Sequence, residues 1–82
     1  METQVPQIQA VNPKNQKLVN RVAKQLAKYN ALNDARDAAD NAGEERLFNR
    51  LDRQCETAFD KYLELSELLP ARELKRIEKV LY

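Results

Sequence analysis

Between positions 44 and 69, apolar residues recur at alternating steps of three and four: Phe48, Leu51, Cys55, Ala58, Tyr62, Leu65 and Leu69. That spacing is an a/d heptad seam carried over three repeats, the pattern of a helix that packs as in a coiled coil. Leu47, Phe59 and Leu68 widen the seam on both flanks, giving a face broad enough for more than one neighbour. Upstream, Leu18, Val22, Leu26, Tyr29, Leu32, Ala35 and Ala39 also step by threes and fours, which places them on one helical face. Asn12-Pro13 suits the start of that helix. Asn caps well, and the missing N–H of Pro costs nothing in the first turn. Gly43 supplies the left-handed conformation that ends helices. Glu44 and Glu45 then suit the positive end of a new helix dipole.

The pattern therefore predicts an all-α fold. A first helix runs over about 13–41, a second over about 44–68, and Pro70 separates it from a short third helix over about 70–81. The few residues around Ala42-Gly43 force the first two into a long antiparallel hairpin with coiled-coil-like packing. Position i then lies level with roughly 85 − i. The third helix carries Ala71, Leu74, Ile77 and Val80/Leu81 on one face and is too short to be stable alone. The broad face of the second helix is its expected seat. Residues 13–82 read as one domain. Residues 1–12 read as a flexible or extended arm, disordered by default for a polar terminus, with Val5, Ile8 and Val11 as the contacts if it docks.

Charge adds a second layer to this picture. Lys14, Lys17, Arg21, Lys24 and Lys28 form one basic stripe on the first helix, followed by Asp34, Asp37 and Asp40. This order opposes the helix dipole, so local helix physics does not account for it. The second helix runs in the complementary order, with Arg46, Arg50 and Arg53 and then Glu56, Asp60, Glu64 and Glu67. Antiparallel pairing sets Arg21 beside Glu64, Lys24 near Asp60, Lys28 near Glu56 and Asp34 near Arg50 and Arg53. The match around the helix axis is poorer, because the acids sit at outward heptad positions. The stripe thus has three readings: it pairs with its own second helix, with a second subunit, or with a foreign anionic surface such as nucleic acid.

Composition narrows the chemistry. The 82 residues include no His, no Trp, one Gly and one Cys, with a net charge of +1. The commonest general base and zinc ligand is missing, and Cys55 has no His to activate it. One glycine rules out a glycine-rich phosphate loop. A single cysteine forms no internal disulfide, and it reads as a buried, inert thiol in the seam. The start lacks a signal-peptide pattern, and no run of about 18 apolar residues exists to span a membrane. A soluble cytoplasmic protein follows as the expectation, with no catalytic, cofactor-binding or metal-binding residues and no small-molecule substrate.

The sequence thus points to a small non-enzymatic protein–protein interaction module, an adaptor, inhibitor or regulator that presents helical surfaces as a dimer. The partner-binding residues would be Leu47, Phe59, Leu63, Leu68, Leu74, Ile77 and Leu81. The alternative is a nucleic-acid-binding regulator that uses the stripe of Lys14, Lys17, Arg21, Lys24 and Lys28.

Overall fold

A computed structural model describes residues 7–81. The chain is an all-α helical hairpin with a short third helix. A single 3-10 turn, Pro13–Asn15, leads into α1 (Gln16–Asn41), which is followed by α2 (Glu45–Ser66) and α3 (Ala71–Leu81). The Asn12 side chain accepts the Lys14 backbone N–H at 3.0 Å, so Asn12-Pro13 does open the helical part, through a tighter first turn. Gly43 has φ +72 and closes α1. α2 ends at Ser66, two residues short of the expectation, because Glu67–Leu69 turn toward Pro70 and carry Leu69 into the core. The Pro70 carbonyl accepts the N–H groups of Glu73 and Leu74, so Pro70 caps α3 from just outside it.

α1 and α2 share the largest interface. The Gln25 side-chain amide donates to the Ala58 carbonyl at 3.0 Å, the Tyr29 and Phe59 rings lie 5.0 Å apart, and Arg36 meets Asp52 at 3.0 Å. These crossings agree with the antiparallel register to within about three residues. The core joins Val19, Val22, Ala23 and Leu26 of α1, Tyr62 of α2, Leu69 of the connection and Ile77 of α3. The seam residues Cys55, Ala58 and Tyr62 are buried, while Leu51, Leu65 and Phe48 are half-buried.

Two placements differ from the sequence pattern. Ala35 is exposed, whereas Val19, Ala23 and Ala27 are buried. α1 therefore presents two faces: one toward α2, through Tyr29, Leu32, Arg36 and Ala39, and one rotated by roughly a quarter-turn or more through Val19, Ala23 and Ala27. α3 occupies this second face and so packs mainly on α1, not on the flank of α2. The small side chains of Ala23 and Ala27 permit the close approach. α3 runs parallel to α1, with Glu73 beside residues 11–12 and the Leu81 carbonyl accepting from the Asn30 side chain at 2.7 Å. α3 therefore covers α1 only as far as Asn30. Beyond that point the hairpin continues as two helices, within a molecule measuring 45 × 21 × 19 Å.

Residues 7–10 have no regular secondary structure, residues 11–12 bend into the 3-10 turn, and the stretch docks through two side chains. Ile8 and Ala10 are buried, Val11 is exposed, and Val5 lies outside the described residues. The Gln16 side chain acts as a substitute strand: its amide N–H donates to the Ile8 carbonyl and its oxygen accepts the Ala10 N–H, both at 2.9 Å.

Candidate interaction surfaces

Among the described residues, no group of three His, Cys, Asp or Glu side chains is placed to hold a metal, and no helix is long and apolar enough to cross a membrane. Cys55 is buried in the seam. Burial pushes its thiol pKa up, and the nearby Arg36 charge only partly opposes this. Such a thiol is a poor nucleophile.

The apolar residues expected to meet a partner fall into separate groups. Ile77 is fully buried and belongs to the core, so it is not available to a partner in this fold. Phe59, Leu74 and Leu81 are half-buried and pack against the same core. Leu63 on α2 stands 43% exposed, Leu68 in the connection after α2 65%, and Val80 on α3 51%. Leu47 is half-buried on the two-helix extension, together with Phe48, Leu51 and Leu32. Among the described residues no third helix roofs these four, because α3 stops level with Asn30.

The charged residues are arranged in a way the axial reading did not foresee. Among the described residues, the ion pairs are Arg36 with Asp52 and Arg36 with Asp37. Arg36 also donates to the Asn33 side chain, and the Asp52 hydrogen bond is the main reason its pKa is raised. Lys14, Lys17, Arg21, Lys24 and Lys28 are all exposed and form no ion pair there. The expected partners Glu56 and Asp60 border the opposite groove of the hairpin, beside Tyr29, Arg36 and Phe59. On the stripe side, α2 instead brings Arg53 and Lys61 to the groove edge opposite Lys28. The groove floor between them is Gln25, Leu32, Gln54, Thr57 and Ala58.

The residue with the most unusual setting escaped the sequence reading. Glu73 is 2% exposed, and its carboxylate accepts the Val11 N–H at 2.6 Å and the Asn12 N–H at 3.4 Å. Burial alone would raise its pKa. The donors on Val11, the Asn15 side chain and Asn12, with the Arg76 charge, outweigh burial and hold it below the usual carboxylate range. Glu73 ties α3 to the arm and to the start of α1. Locally it is an ordinary acidic residue in the first turn of a helix, and nothing in the spacing points to a partner some sixty positions upstream.

No known protein family, curated protein or solved structure matches the chain.

Proposed function

We propose that this protein is a small non-enzymatic protein–protein interaction module that pairs through helical surfaces, with a second copy of itself as the first partner to test. The observation that carries this reading is the unroofed two-helix extension. Leu32, Leu47, Phe48 and Leu51 lie half-buried there with two helical layers where the rest of the molecule has three. Two-layer helical hairpins gain by burying such a face against another helix. The exposed Leu63 of α2, Leu68 of the connection and Val80 of α3 add apolar area elsewhere. A cytoplasmic setting suits the lone free thiol.

Light scattering on the purified chain at tens of micromolar, followed by affinity capture with wild-type and Leu47→Glu baits, tests this. The expected result is a mass of about twice 9.5 kDa, or a defined protein partner, either of which is lost in Leu47→Glu while helicity is retained. A monomer that captures nothing Leu47→Glu fails to capture removes the reading.

A further inference from the structure

The groove between α1 and α2 on the side away from α3 gathers cations from both helices. α1 contributes Lys14, Lys17, Arg21, Lys24 and Lys28. After Lys28 the same line of α1 continues with Ala31, Ala35 and Ala38, which carry no charge. At that level α2 takes over. Arg46, Arg50, Arg53 and Lys61, with Thr57 between the last two, step by four, three, four and four and so share one face. Lys28, Arg53 and Lys61 border the groove together and join the two stripes into one. These nine residues are most of the chain's 14 Lys and Arg; on α2, Asp60, one heptad past Arg53, and Glu64, one turn past Lys61, fall on the same line.

Like charges set side by side cost free energy unless an anion or solvent separates them. Among the described residues none of these nine side chains forms an ion pair, since the pairs there belong to Arg36. The lining discriminates between kinds of polyanion. An acidic partner helix needs a row of apolar anchor sites, but the groove floor offers only Leu32 and Ala58 among amides and a hydroxyl. A single-stranded nucleic acid needs aromatic platforms, but Tyr29 and Phe59 line the opposite groove. What remains is a regularly spaced, unstacked row of phosphates. Cations spread along a 45 Å molecule can follow a duplex backbone for about one helical turn.

We propose that the α1–α2 groove bordered by Lys28, Arg53 and Lys61 binds the phosphate backbone of a nucleic-acid duplex without sequence preference. Gln54 supplies a neutral donor to the same phosphates, whereas the Thr57 hydroxyl already donates to the Arg53 carbonyl. This surface meets the apolar extension at Leu32, but Lys28, Arg53 and Lys61 are not among the apolar contacts, so duplex binding is tested apart from the protein–protein reading.

Fluorescence anisotropy with labelled mixed-sequence DNA and RNA duplexes of about 20 base pairs tests it, with a single strand and poly-glutamate as competitors. Duplex binding is expected at about 50 mM salt and should weaken by roughly a hundredfold or more by about 200 mM. The triple variant Lys28→Gln, Arg53→Gln, Lys61→Gln should lose at least tenfold in affinity and flatten the salt slope by about 2–3. All three side chains are exposed, so helicity should not change. Lys75→Gln with Lys79→Gln on α3 removes charge from outside the groove and should cost less than about threefold. A preference between DNA and RNA would identify which duplex the groove fits. No duplex binding at low salt overturns the proposal. So does an equal loss in the α3 variant, which would mean net charge alone is at work. Tighter binding of the single strand or of poly-glutamate also overturns it and points to a different partner class.

Discussion

Glu73 sits one turn past Pro70 on α3, and its carboxylate is held by N–H groups from the other end of the chain. Because its folded pKa lies below the unfolded one, ionisation favours the folded state. That contribution is fully present above the ordinary carboxylate pKa and is lost as pH falls through the lowered folded value. Urea midpoints measured across this acidic window should fall more steeply for the wild type than for Glu73→Gln, whose side chain does not titrate there. Parallel profiles would mean that another group sets the acid sensitivity. At neutral pH Glu73→Gln should be the less stable protein, since the amide cannot accept from all three donors without turning its own NH2 toward one of them. The sequence concealed this residue for a physical reason. Helical periodicity reports which side chains share a face, whereas the partners of Glu73 are backbone groups reached through tertiary folding. Cys55 is the opposite case: its seam position alone implied burial, and it is buried.

The helices themselves were legible to within a few residues. Gly43, the only glycine, falls where α1 must stop, and its φ of +72 is a conformation that L side chains rarely adopt. A Cβ at this position would meet nothing within 4 Å, so the penalty for Gly43→Ala is purely one of backbone conformation. Gly43→Ala should cost about 1 kcal/mol and lower Tm by roughly 4–8 °C, with Gly43→Asn milder because Asn tolerates the left-handed region. Thermal unfolding followed by circular dichroism would check this, and an Ala variant as stable as the wild type would mean the turn relaxes to another geometry. The seat of α3 was less legible. A strong heptad pattern on α2 drew attention to its flanks, while the receiving face on α1 is built partly from Ala23 and Ala27. Alanine is compatible with either a buried or an exposed position, so its spacing carries little signal. A helix that serves two neighbours at once also blurs its own periodicity.

At the scale of the whole molecule, the sequence conveyed the order of charge along the hairpin axis, and of the arrangement around it only that the match is poor. Axial register follows from the short connection at Gly43, and Gln25 against Ala58 bears that out. Rotation is set by which residues fill the seam, and it carries Arg53 and Lys61 toward Lys28 while Glu56 and Asp60 turn to the opposite groove. This segregation constrains how copies can associate. A two-fold dimer places the same patch of each copy against itself, so a basic face cannot be matched to an acidic face on the far side of the same chain without generating an open, head-to-tail array. On the proposed reading a closed dimer is held by apolar contact through the unroofed extension, with charge contributing little. Its mass by light scattering should stay constant between about 50 mM and about 500 mM salt, a range over which exposed charge pairs are progressively screened. Species larger than a dimer at low salt that dissolve as salt rises would instead show the acidic groove of one copy seated on the basic groove of the next. At low salt such arrays would compete with a duplex for the basic groove, whereas an apolar dimer would leave Lys28, Arg53 and Lys61 of both copies available.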